Sequence, residues 1–144
     1  MQAQMLAPAA ALVAWSLVML MLIPVTRFPA LAKLGINVGN APRGARGGDS
    51  EDQMPERVRW ISHNYTHLME QPTIFYPAVI IIAMMGAAAG DVLAAWIYVG
   101  LRIIHSLWQA FVNVVAVRFL LFLAMSAALI YLSVRAVILT MGVA

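Results

Sequence analysis

The chain has 144 residues, of which 63% are hydrophobic and 10% charged, with a mean hydropathy of +0.87. That composition excludes an ordinary soluble domain, and a formal charge of +3 without any long basic run excludes nucleic acid as a partner. The lack of cysteine excludes a disulfide framework, a thiolate metal site and a cysteine nucleophile, so any thiol chemistry must arrive with a ligand.

So little polar sequence leaves room for about four spans of roughly 20 residues and no separate soluble domain. Residues 1–144 therefore read as one all-α domain, a four-transmembrane-helix bundle in contact with membrane lipid. The first span covers residues 5–26, with Trp15 as an interfacial candidate and Pro24, Arg27 and Pro29 marking its exit. No basic residue precedes Arg27, so the segment reads as a retained helix and not a signal peptide.

Residues 27–56 form the one long polar loop. With Arg57 and Arg59 just beyond it, the region carries Arg27, Lys33, Arg43 and Arg46, which places it on the cytoplasmic side by the positive-inside rule. A second helix begins near Pro55, with Ser50 or Asp52 as caps, and runs over 57–90 with a kink at Pro77. Gly86 to Asp91 ends it, and the small residues of G-A-A-A-G permit close helix approach. The third span, 92–113, and the fourth, 118–140, are joined by a very short turn and form an antiparallel hairpin, with both chain termini outside.

Polar side chains interrupt this apolar pattern in two places. Arg102, His105, Gln109 and Asn113 fall on one helical stripe less than about 90° wide, and Arg118 lies just beyond. An ionisable group at the bilayer centre costs on the order of 3 kcal/mol, so such a stripe must face protein, water or a ligand. Between Arg59 and the C-terminus the only acids are Glu70 and Asp91. The arginines therefore point to a carboxylate-bearing ligand, for which the planar guanidinium fork is suited. On the second helix, Glu56, His63, His67 and Glu70 share a face; the spacing admits a metal site, a solvated surface or ligand contact. Trp96, Tyr98, Trp108 and Tyr131 read as interfacial anchors or packing residues, and the scattered methionines as core filler.

Two runs carry a family likeness: H67-L-M-E70-Q-P72-T-I-F75-Y76, and R102-I-I-H105-S-L-W-Q109-A-F-V-N113-V-V-A-V-R118-F. With the four-span plan and long first loop they resemble the MAPEG family, membrane-associated proteins in eicosanoid and glutathione metabolism, especially its bacterial branch. The resemblance implies a homotrimer in the bacterial inner membrane, with glutathione held between subunits in the cytoplasmic half. It also implies transfer to, or peroxide reduction of, a lipophilic small-molecule substrate. Arg102 and His105 match the family's R-x-x-H, and Arg118 matches the arginine linked to the thiol, which makes it the catalytic candidate. Glu70 matches the acid of an N-x-x-E element with His67 in place of the asparagine; a second register uses Asn64 and His67 instead. His67, Glu70, Gln109 and Asn113 join Arg102 and His105 as ligand-binding candidates. Gln109 and Phe122 stand where some members carry tyrosine, and the second-span arginines that clamp glutathione are not evident. Two other readings stay open: a non-catalytic scaffold or lipid-binding protein, and a metal-dependent membrane enzyme using His63, His67, Glu70 and His105.

Overall fold

The computed structural model describes residues 1–142, which form five α-helices and two short 3-10 helices and contain no strand. The helices are α1 (Gln2–Lys33), α2 (Glu56–Leu68), α3 (Pro72–Met85), α4 (Ala89–Phe111) and α5 (Val115–Met141). With α2 and α3 counted as one interrupted segment, four segments are long and apolar enough to cross a membrane. The protein is thus an all-α, four-span bundle. In it α1 packs on α2, α3 and α4, while α5 packs on α3 and α4.

Several boundaries differ from the sequence expectation, each for a local reason. Helix α1 runs on through Pro24 and Pro29 to Lys33; at 1.5 Å per residue it is about 48 Å long and overshoots a hydrocarbon core of about 30 Å. Ser50 and Asp52 do not cap α2. They lie in a 3-10 helix, Gly47–Gln53, and Pro55 is the residue before the first helical turn, its carbonyl accepting from Val58 N–H at 2.9 Å. The second span is not one helix kinked at Pro77. It breaks at 69–71, in front of Pro72, whereas α3 continues through Pro77. Pro72 has no N–H for the Leu68 carbonyl one turn back, and its ring crowds that carbonyl, so the chain restarts with Pro72 in the first turn of α3.

The run from Gly86 to Gly90 serves a turn more than helix packing. Gly86 ends α3 at φ 115°, a conformation that L side chains rarely adopt, and α4 begins at Ala89. Every buried residue of α4 lies on one stripe from Asp91 to Ala110, and this stripe faces the bundle interior. Met5, Leu12 and Met19 of α1, Phe75, Val79 and Ile82 of α3, and Met125 and Leu132 of α5 close around it. Tyr98 is no interfacial anchor: it is buried, stacked on Phe75 with ring centroids 4.4 Å apart. Outward-facing Val13, Leu17, Ile80, Ile97, Phe119 and Ile130 leave an apolar exterior of the kind lipid or a second subunit covers.

The end of the bundle away from the long loop is closed by charge. Asp91 at the start of α4 is buried and accepts from Arg135 Nε (2.9 Å) and Nη2 (3.2 Å), Tyr131 Oη (3.1 Å) and Ala88 N–H (2.9 Å). One carboxylate thus joins the α3–α4 turn to the last turns of α5. Replacing it removes the acceptor that Arg135, Tyr131 and the Ala88 N–H share. Asp91→Ala is expected to cost on the order of 2 kcal/mol, read as a lower thermal midpoint of the detergent-solubilised protein by tryptophan fluorescence. An unchanged midpoint refutes the fastening role.

Candidate functional site

At the loop end the polar stripe of α4 meets the α2–α3 break. Arg102 is fully buried and donates through Nη2 to the backbone carbonyl of His67, and Nη1 lies 3.6 Å from Met125 Sδ. The His67 carbonyl lies in the last turn of α2, where the break removes the usual acceptance from four residues on; its other donor, Glu70 N–H, is long at 3.4 Å. A membrane helix interrupted by proline needs such a replacement partner from a neighbour. The break therefore makes a backbone acceptor, and α4 brings a cation to it.

The His67 side chain leaves this anchor for a cleft of about 230 Å³ lined by His67, His105, Val115, Arg118, Phe119 and Phe122. His67 Nδ1 lies 2.6 Å from Glu70 Oε2, with Glu70 largely exposed at the rim. The His67 ring sits 5.1 Å from His105 and 6.2 Å from Phe122. From α5, Arg118 donates through Nη1 to Asn113 Oδ1 at 2.7 Å. Asn113 itself is not on the helical stripe. It occupies the turn between α4 and α5 at φ 58°, a left-handed conformation that asparagine tolerates better than most residues. Its N–H and that of Val112 both donate to the Trp108 carbonyl, at 2.7 and 2.9 Å, which closes the hairpin and aims Arg118.

The expected site residues thus divide. His67, His105 and Arg118 share the cleft, Glu70 holds His67 from the rim, and Asn113 holds Arg118. Arg102 and Gln109 are buried in the subunit interior and do not line the cleft. His63 faces the loop, with Nε2 3.3 Å from Glu51 Oε1, so it is separated from the His67 cleft. Among the described residues no three His, Cys, Asp or Glu side chains gather as a metal site would require. A larger hollow of about 550 Å³ lies between Phe28 and Val38 but has only aliphatic, aromatic and amide walls.

Electrostatically the cleft is unfinished. Among the described residues neither Arg102 nor Arg118 has a carboxylate within ion-pairing distance. Arg102 Nε, Arg118 Nε, His105 Nδ1, Gln109 Oε1 and Asn64 Oδ1 are buried without a hydrogen-bond partner. A stranded polar atom costs about 1–3 kcal/mol, more when charged. Of these, Arg102, Gln109 and Asn64 lie in the interior, whereas Arg118 Nε and His105 Nδ1 belong to residues that line the cleft. Sequence reasoning missed the support around it. Ser106 Oγ accepts from both Trp15 Nε1 (2.9 Å) and Asn64 Nδ2 (2.8 Å), tying α1 and α2 to α4 beside His105. Gln71 Nε2 donates to Ser126 Oγ at 2.8 Å, tying the break to α5. The one available signal was that Ser106 follows Arg102 by one helical turn.

Fold and site together define a four-span membrane bundle with a basic, imidazole-lined cleft beside a broken helix. The chain matches the MAPEG family over residues 5–138 and belongs to it. No match is found among curated proteins or solved structures.

If Pro72 imposes the break, removing it joins α2 to α3. Pro72→Ala is expected to join the two helices, seen as a gain in far-ultraviolet helical signal, while drawing His67 away from the cleft and its carbonyl away from Arg102. An unchanged helical signal shows that the break has another cause.

Proposed function

We propose that the protein binds glutathione, or a similar anionic thiol, in the His67–His105–Arg118 cleft and presents its thiolate to lipophilic electrophiles or peroxides that enter from the bilayer. The observation that carries this reading is the unpaired Arg118 in the cleft wall, with Asn113 occupying one nitrogen and Nε left without a partner. A free thiol titrates near about 8.5 and is mostly neutral at pH 7; a fixed guanidinium beside it favours the thiolate without giving up a proton. Arg118 acts electrostatically, and His105 Nδ1 offers a contact to the ligand's polar groups. Arg102, which is sealed inside, supports the site through the His67 carbonyl and does not touch the ligand.

A cleft of about 230 Å³ is smaller than the roughly 300–1,000 Å³ of enclosed small-molecule sites. A second copy of the chain completes it, in keeping with the homotrimer that the family implies. The basic loop lies on the cytoplasmic side of a bacterial inner membrane and both termini outside, so glutathione reaches the cleft from the cytoplasm. The main rival is a non-catalytic membrane scaffold, favoured by one observation: no wall residue of the cleft carries a hydroxyl, and Phe122 packs where a phenol would assist a thiol.

Glutathione at ten times its Kd is expected to stabilise the detergent-solubilised protein by about 1.4 kcal/mol. Arg118→Ala should remove that gain while the unliganded midpoint stays put. Intact oligomers that do not respond to glutathione refute the binding reading and leave the scaffold.

A further inference from the structure

We propose that His67, held by Glu70, is the base that takes the proton from the bound thiol, an assignment that rests on the thiol-binding reading above. An ionised carboxylate only accepts hydrogen bonds, so the 2.6 Å contact to Glu70 Oε2 places the ring hydrogen on Nδ1. Nε2 then carries the free lone pair on a ring that lines the cleft. Few side chains here are so completely positioned. Arg102 fixes the His67 carbonyl, Glu70 fixes Nδ1, and His105 and Phe122 flank the ring at 5.1 and 6.2 Å.

Charged and titratable groups face His67 from the neighbouring helices. Arg102 and His105 approach from α4 and Arg118 from α5, with Glu70 the one negative group among them. Helix α1, also packed on α2, has Arg27 and Lys33 as its charged side chains, both near its loop end. Glu70 therefore offsets the charge that appears on the ring between two guanidinium groups. In the step itself the S–H bond breaks, its electron pair stays on sulfur beside Arg118, and the proton passes to Nε2. The resulting imidazolium keeps its Nδ1–H on Glu70. When the thiolate adds to an electrophile, the proton moves from Nε2 to the product anion or leaving group and no oxidation state changes. When it attacks a peroxide, the O–O bond breaks, sulfur is oxidised to the sulfenic level by the peroxide, and the proton goes to the departing alkoxide. Glu70 is a positioning residue in this scheme, in place of the direct ligand contact its sequence match implies.

The test uses the full-length protein, with glutathione as the probe. The ultraviolet absorbance of bound thiolate is followed from acid to alkaline pH in the wild type, His67→Gln and Glu70→Gln, with thermal stabilisation by glutathione recorded alongside. The wild type should hold thiolate at neutral pH. His67→Gln, still stabilised by glutathione, should show about a tenth as much or less and regain it only at alkaline pH, and Glu70→Gln should fall between the two. Stabilisation of both proteins with superimposable thiolate titrations overturns the base assignment and leaves thiol binding standing. No stabilisation of the wild type removes the binding reading and this assignment with it. Should His67→Gln misfold or lose its response to glutathione, Glu70→Gln decides: it alters an exposed rim carboxylate, and an unchanged thiolate fraction overturns the proposal.

Discussion

The hydrogen bond from Arg102 to the His67 carbonyl reconciles two features that burial in a membrane would otherwise set against each other. A proline at position 72 leaves the last turn of α2 short of donors, and an arginine at position 102 brings a charge into an apolar interior. Separately each is expensive. Together the guanidinium supplies the donor that the broken helix lacks, and the carbonyl supplies an acceptor that the cation needs. The pairing is incomplete, since Arg102 Nε stays unpartnered.

The two ends of the bundle have opposite electrostatic characters. Away from the loop, Asp91 receives four donors and Arg135 is paired, so the charges there are satisfied within the chain. At the loop end, Arg102 and Arg118 lack carboxylate partners, and most of the buried polar atoms without partners cluster on α2, α4 and the start of α5. A fold that meets its hydrogen-bonding needs at one end has no shortage of suitable side chains. The shortfall at the other lies partly in the cleft wall, at His105 and Arg118, and partly in the closed interior, at Arg102, Gln109 and Asn64.

Composition and apolar run length were enough to reveal the four spans, because the bilayer dictates segment length whatever the tertiary detail. The α4 stripe was legible for the same reason: Arg102, His105 and Gln109 violate the apolar pattern at helical spacing. The choice between Pro72 and Pro77 as the point of interruption was not legible. Both remove a donor, and only Arg102, thirty residues later in sequence, brings a new donor to one of the two places, at the His67 carbonyl beside the break. Asn113 was misplaced by a periodicity argument that carried the helix two residues too far, past Phe111, although asparagine is itself a signal for a left-handed turn. The pairing of Asp91 with Arg135 was implicit in the hairpin geometry, which returns position 135 to the level of position 91. Ser106 escaped notice because a single hydroxyl in an apolar helix ordinarily bonds its own backbone, and here it instead accepts from two other helices.

The walls of the cleft restrict which chemistry it can support. With two imidazoles, one guanidinium and three apolar side chains, it offers positive charge and proton-accepting nitrogen but no hydroxyl to donate to a developing anion. A tyrosine in place of Phe122 would stabilise sulfur by a hydrogen bond of fixed direction. Phenylalanine contributes only a flat surface, against which the His67 ring packs at an interplanar angle of 23°. A thiolate held in the cleft would be stabilised by charge at short range. A thiol bound there would also need a proton acceptor within reach of its sulfur. The His67 imidazole stands in the cleft wall with its orientation set by the exposed Glu70 carboxylate at the rim.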